Sequence, residues 1–344
     1  MSMAENMQNQ HHLAFGLIAD VQYADVDDGT NYNQTRRRYY RAALQSLKKT
    51  ISKWKNLPYS LAFVLQLGDL IDGMNRRKNG EKAVAVALET ALAPFRELPC
   101  STHHMIGNHD LYNMTRKECY LSELNTSRLR GAQSVEGAFY YSAVVHPRLK
   151  LVVLDTYDVG VLGFGDSPKH PHYLEAVEIL HQNNPNEEKN SSVGVQGDAR
   201  RFAAYNGGLG KEQLGWLNAQ LTDADSKRQN VLLCGHVQLN PVLSEAVNTG
   251  TCLVWNYTDV QKILHSHGCV IGCLAGHDHD GSHSVDSAGI HHLVLNGVIE
   301  TPPDSDAYAI AFLCDHTLEI EGAGVVPSVS LPLKYFANDE EIHV

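Results

Sequence analysis

Short apolar runs that stop abruptly at a polar residue restrict the folds open to this chain. Leu13 to Ala19 stops at Asp20, Leu61 to Leu67 at Gly68-Asp69, Val231 to Cys234 at Gly235-His236, and Cys269 to Ala275 at Gly276-His277. A less apolar run, Thr102 to Ile106, stops at Gly107-Asn108-His109-Asp110. Runs of this length without polar alternation suit strands covered on both faces, as in an α/β sheet. In open α/β sheets, ligands bind beyond the carboxyl ends of the strands, where residues distant in sequence meet. The polar residues closing these runs are therefore expected to converge on one site.

Helical spacing fills the intervals. Over Gln34 to Lys55, the residues Tyr40, Ala43, Leu44, Leu47, Ile51 and Trp54 recur on one face, with Arg and Lys on the other. Glu81 to Leu98 reads as a second helix, Ala-rich until Pro94 interrupts it. Phe139 to Val145 and Leu149 to Leu154 read as a hairpin, Lys211 to Leu221 and Val254 to His265 as helices. Ile290 to Leu295, Ala307 to Leu313 and Thr317 to Ile320 form a closing run of strands. Early strand-helix alternation followed by late strands fits an α/β four-layer α/β/β/α sandwich, two mixed sheets packed face to face with flanking helices.

No repeat, charge block or linker divides the sequence, so one domain is expected over residues 1–344, with its core over 12–322. The stretch 156–210 mixes Gly, Pro, Asn, Asp and Ser around one short helix near Tyr173 to Gln182, and reads as a lid or binding loop. The acidic tail from Ala337 is expected to be mobile.

The formal charge of −11 argues against nucleic acid or an anionic membrane as partner, since both are bound through basic patches. The polar N-terminus has no apolar signal-like stretch, and seven cysteines without a CxxC pair read as reduced thiols, which together suggest a cytoplasmic protein. Nineteen histidines, mostly uncharged at pH 7, are available as imidazole ligands.

Taken singly, each strand-end residue is ordinary: an Asp after a strand is usually a turn or cap residue, and a lone His usually a satisfied core residue. Taken in order, Asp20-x-Gln22, Gly68-Asp69, Gly107-Asn108-His109-Asp110, Gly235-His236 and Gly276-His277-x-His279 resemble the motif series of the calcineurin-like metallophosphoesterases. Gln22 stands where that family usually has His. With Asn206-Gly207-Gly208-Leu209-Gly210 ahead of the Trp216 helix, it gives a likeness to the manganese-dependent ADP-ribose/CDP-alcohol diphosphatase branch.

The resemblance implies a metal-dependent hydrolase of nucleoside diphosphate-X compounds, working through two divalent cations, Mn²⁺ preferred and Zn²⁺ or Fe as other occupants. It implies Asp69 as bridging ligand, Asp20, Gln22 and His279 at one cation, and Asn108, His236 and His277 at the other. In-line attack by a hydroxide held between the cations would cleave the phosphoanhydride. His109 is then the general acid, with Asp110 orienting its imidazole. Tyr32 and Tyr205 are candidates to stack on a nucleobase, with Asn206, Cys252 and Asn256 beside them.

The partner is thus a small molecule, with no protein partner implied. The same donors would also serve a phosphodiesterase acting on cyclic nucleotides or glycerophosphodiesters. A non-catalytic interaction module on this fold is the reading from a different class; it should have lost ligands or the acid, and all of them are present.

Overall fold

The apolar runs form central strands. In the computed structural model, which describes residues 11–32, 34–241 and 251–336, Leu13–Ile18 (β1) runs parallel to Phe63–Gln66 (β4), itself parallel to Ser101–His104 (β5). Ala307–Leu313 (β13) pairs antiparallel with the other edge of β1, followed by Thr317–Gly324 (β14) and Val329–Pro332 (β15). The result is a six-stranded mixed sheet in the order β15-β14-β13-β1-β4-β5. The tail from Ala337 lies outside the described residues.

A second mixed sheet has seven strands: Ser282–Val285 (β11), His291–Val294 (β12), Val270–Ala275 (β10), Asn230–Cys234 (β9), Leu149–Val153 (β8), Tyr141–His146 (β7) and Ala132–Ser134 (β6), in that order. Gly272 of β10 abuts the Leu331 side chain of β15, so the two sheets pack face to face. Helices cover the outer faces. A Cβ at Gly16 would come within 3.0 Å of the Trp54 indole, so β1 carries glycine where the Tyr40–Lys55 helix packs on it. On the second sheet, Lys150 is buried yet reaches Asp223 at 3.0 Å on the Lys211–Ser226 helix. No helix among the described residues is long and apolar enough to cross a membrane.

Helix boundaries differ from the sequence expectation at two places. The first helix begins at Tyr40 rather than Gln34, because Arg37–Arg38 (β3) instead pairs with Gly29–Thr30 (β2) in a small ribbon. Ion pairs from Arg36 to Asp280 and Arg37 to Asp28 hold that ribbon, and the apolar helical face starts only at Tyr40. The second helix, Glu81–Leu92, ends before Pro94. Short helices at Met74–Asn79, Asn108–Asn113 and Arg116–Leu121 have too few turns to show a period. The irregular insert is anchored: its Pro171–Asn183 helix packs through Ala176 and Leu180 on a cluster with Val159, Ala204 and Trp255.

At the end of β5, His103 Nδ1 meets the Tyr141 hydroxyl at 2.6 Å and His104 Nδ1 meets Gln66 Oε1 at 3.1 Å, both buried. Burial pushes His103 down to about 4 and His104 to about 3, from an ordinary 6.5. Below pH 6.5 the unfolded chain therefore takes up protons that the folded chain refuses. This contribution is complete above the unfolded value and declines as pH falls towards the folded ones, by up to about 1.4 kcal/mol per pH unit for each ring. Urea midpoints should fall between about pH 7 and pH 5, and His103→Gln/His104→Gln should flatten that slope; an equal slope in both proteins would contradict the assignment.

Candidate metal centre

The strand-end residues meet where the two sheets abut, through turned rather than extended backbone. Asp20 (φ 51°), Gln22 (φ 45°), Asp69 (φ 55°) and His277 (φ 71°) all lie in the left-handed region, which non-glycine residues rarely enter. Asp20 and Gln22 therefore share a cleft by local turns and not by strand alternation. Two motif glycines are explained by close approach: a side chain at Gly68 (φ 99°) would overlap the His236 ring, and one at Gly107 would overlap the Asp69 carboxylate.

Asp69 sits at the middle. Its Oδ1 accepts the His109 backbone N–H at 2.7 Å; its Oδ2 accepts from Gln22 Nε2 at 3.0 Å and lies 3.4 Å from His236 Nε2. On one side, His279 Nε2 lies 3.4 Å from Asp20 Oδ1 and 2.8 Å from Gln22 Nε2. On the other, His236 Nε2 lies 3.3 Å from Asn108 Oδ1, and its ring is 5.0 Å from that of His277. The donor atoms of Asp69, His236 and His277 all fall within 4.8 Å of one another, a set able to hold a metal ion.

Outer partners fix each imidazole. His236 Nδ1 donates to the Leu67 carbonyl at 2.7 Å and His279 Nδ1 to Glu300 Oε1 at 2.8 Å, which leaves each Nε2 with the lone pair. His277 Nε2 bonds Asn206 Oδ1 at 2.8 Å. Burial would lower His236 and His279, but carboxylates outweigh it: Asp69 and Asp20 raise His236, and Asp20 and Glu300 raise His279. Burial and the neighbouring His236 push His277 well down. Burial would raise Asp69, yet the surrounding imidazoles, His236 foremost, hold it well below the usual carboxylate range. Cations and protons therefore compete for this cluster.

The donors fit a pair of divalent cations. Gln22 Oε1 is buried without a hydrogen-bond partner, so its amide has an oxygen donor to spare beside Asp20, Asp69 and His279. Two carboxylates, two amides and three imidazoles make a mixed hard and borderline set.

Next to the cluster, His109 Nδ1 lies 2.8 Å from Asp72 Oδ2. Burial alone would raise Asp72, but His109 and Arg38 hold it below the usual range. This corrects the expectation for Asp110, whose carboxylate instead accepts the backbone N–H groups of Asp69, Leu70 and Gly107 at 3.0 Å each and of Ile71 at 3.3 Å. Asp110 shapes the Asp69 turn, and Asp72 is the carboxylate that stands beside the His109 ring. The signal for Asp72 was in the sequence, three residues beyond Asp69 in Gly68-Asp69-Leu70-Ile71-Asp72. Glu300 had none; it follows β12 in a single helical turn at Val298–Glu300.

The expected substrate contacts divide. The Tyr205 ring is tilted against His277 at 5.7 Å, and the half-buried Cys252 lies near Asp278, whose charge adds to burial in pushing the thiol up. Tyr32 is 82% exposed at the tip of the β2–β3 ribbon. Asn206 is 0% exposed and bonded to His277, Arg201 and Thr251, so it supports a candidate ligand and has no face for substrate. Asn256 is likewise occupied, clamping both backbone polar groups of Leu209.

Sequence and structure comparisons agree with this centre. The family model for calcineurin-like phosphoesterases matches residues 13–281, and the chain belongs to that family. Within it, the chain stands close to the manganese-dependent ADP-ribose/CDP-alcohol diphosphatases. It is 37% identical to the one from Xenopus tropicalis, covering 99% of this chain and 100% of that one. It is 40% identical to the one from Homo sapiens, covering 91% of each. A crystal structure of a dimetal phosphatase from Danio rerio is 37% identical with a TM-score of 0.86, over 94% of this chain and 99% of that one.

The two aspartates should separate by experiment. Asp110→Asn sets an amide N–H₂ against backbone donors and should cost about 1–3 kcal/mol for each N–H left unpaired, visible as a lower unfolding midpoint. Asp72→Asn should leave bound metal near the parent value while lowering kcat. The opposite pattern would return the orienting role to Asp110.

Proposed function

We propose that this protein hydrolyses the phosphoanhydride bond of nucleoside diphosphate-X compounds such as ADP-ribose and CDP-alcohols, releasing AMP or CMP and a phosphorylated partner. One observation carries this reading: the donor cluster around Asp69 includes the Gln22 amide in place of the family's histidine, in a chain alike over nearly its whole length to curated diphosphatases. In this reading, Asp20, Gln22 and His279 hold a first cation, Asn108, His236 and His277 a second, and Asp69 both. Mn²⁺ is the proposed occupant, because amide and carboxylate oxygens make the set harder than imidazole alone. Bound cations would supply Lewis-acid charge to the phosphoryl oxygens and an activated water.

The chain's own groups supply the rest. Two ligand carboxylates face four positive charges in the loaded site, which leaves the cleft cationic and suited to a diphosphate. His109 turns Nδ1 to Asp72, so Nε2 is the atom left to hold a proton for the leaving oxygen. Tyr205, Tyr32 and Cys252 are proposed around the nucleoside, and the partner is a small molecule. The seven unpaired cysteines support a reducing, cytoplasmic setting for a single metallophosphoesterase domain.

Metal-stripped protein reloaded with Mn²⁺ should release AMP from ADP-ribose and CMP from CDP-choline, resolved by chromatography. No nucleotide above background would overturn the proposal, and a higher kcat/KM on cyclic nucleotides or glycerophosphodiesters would replace it with a phosphodiesterase. Asp69→Asn should abolish turnover and reduce bound metal. His109→Ala should lower kcat by roughly 10²–10⁴-fold with metal content intact, and least on substrates with good leaving groups.

A further inference from the structure

The two halves of the donor cluster are supported from different parts of the fold. Behind His279 stands Glu300, which also accepts from Arg38 Nε at 3.1 Å, so this half leans on the Val298–Glu300 turn and the β2–β3 ribbon. The other half leans on the irregular insert. Tyr157, fully buried at its start, places its hydroxyl 3.2 Å from Asn108 Oδ1 and 3.1 Å from the Tyr205 carbonyl. Asn206, at its end, bonds His277 Nε2 through Oδ1. The Asn206 amide nitrogen donates to the carbonyls of Arg201, at 2.8 Å, and Thr251.

Asn206 can hold this position because the backbone around it is pinned. Val159 and Gly208 exchange hydrogen bonds at 2.9 and 2.8 Å, and the Trp255 N–H donates to Gly207 at 2.8 Å. With two carbonyls taking its N–H₂, the amide cannot exchange its ends without setting oxygen against oxygen. Its Oδ1 is therefore committed to accept, His277 must carry its proton on Nε2, and the lone pair is left on Nδ1. The His277 pairing thus follows from the insert and not from β10, the strand that precedes the histidine.

We propose that Asn206 is a positioning residue for the second cation: it selects the His277 tautomer that can ligate and couples that ligand to the folded insert. The proposal rests on the two-cation reading above. It requires occupancy of the two positions to respond unequally to a change at Asn206, since His279, Asp20 and Gln22 have no bond to the insert among the described residues.

Full-length Asn206→Leu and Asn206→Asp test it, with Mn²⁺ binding followed by electron paramagnetic resonance and unfolding of the cation-free proteins as a control on the fold. Asn206→Leu, near in size but without an acceptor, should weaken one of two Mn²⁺ equivalents by about 10–100-fold and remove the spin-coupled pair signal, leaving the other equivalent near the parent affinity. Asn206→Asp keeps the acceptor and should restore the pair. Two unaltered equivalents in Asn206→Leu would overturn the proposal while leaving the diphosphatase reading intact. So would equal loss in both variants, which would assign the effect to the N–H₂ clamp. A parent protein that binds a coupled pair lost only in Asn206→Leu, yet cleaves no diphosphate, would support Asn206 and sink the substrate. A parent that binds no pair would overturn both.

Discussion

A buried carboxylate at the junction of two sheets is the constraint around which this molecule is arranged. Asp69 follows β4 of one sheet, receives the N–H of His109 beyond β5 and the amide of Gln22 beyond β1, and faces His236 beyond β9 of the other sheet. A charge so placed is tolerated only when its oxygens are matched, and removing one partner leaves the penalty of an uncompensated buried ion, about 3–5 kcal/mol. The ends of four strands are thereby tied to one another through a single side chain. Asp110 adds a second tie beneath it, fixing the backbone from Asp69 to Ile71.

The left-handed residues belong to the same arrangement. Each costs roughly 1–3 kcal/mol relative to relaxed backbone and persists only where its surroundings over-determine it. Here they do: Asp20 N–H donates to Gly68 at 3.2 Å, Gln22 N–H to Asp69 at 2.9 Å, and His277 N–H to the Asp20 carboxylate at 3.1 Å. The bonds that hold the unfavourable φ angles are made between candidate ligands or their chain neighbours. Local strain and the pointing of the donors are one feature seen from two sides.

What the sequence disclosed follows from how local each signal is. Apolar runs ending in Gly-Asp or Gly-His report strand burial and a turn within a few residues, so β1, β4, β9 and β10 and the residues closing them were legible. The ribbon at Arg37–Arg38 was not, because its reason lies in Asp280 and Glu300, far along the chain. The partner of His109 was obscured for a different reason: adjacency in sequence favours Asp110, and only the placed backbone shows where that carboxylate turns. Once Asn108–Asn113 is helical, the Asp110 carboxylate reaches back to Gly107 N–H and away from the neighbouring ring. Asn206 was found beside the site, but its burial and its bond to His277 were not legible, since neither is written in the residue itself.

Arg38 shows how charge is managed around this centre. Its guanidinium lies 3.1 Å from Glu300, which backs His279, and 3.7 Å from Asp72, which backs His109. One cation thus serves the two outer carboxylates, and His279 together with Arg38 holds Glu300 down to about 2 although burial opposes it. Because Arg38 sits at the base of the β2–β3 ribbon, with Arg36 bound to Asp280 at 2.6 Å, the segment carrying Tyr32 is fixed to the site by charge while its tip stands in solvent. The net −11 of the chain is therefore no guide to its centre. There the outer acids are matched by arginine and imidazole, and the inner pair, Asp20 and Asp69, is matched by His279, His236 and the Gln22 amide.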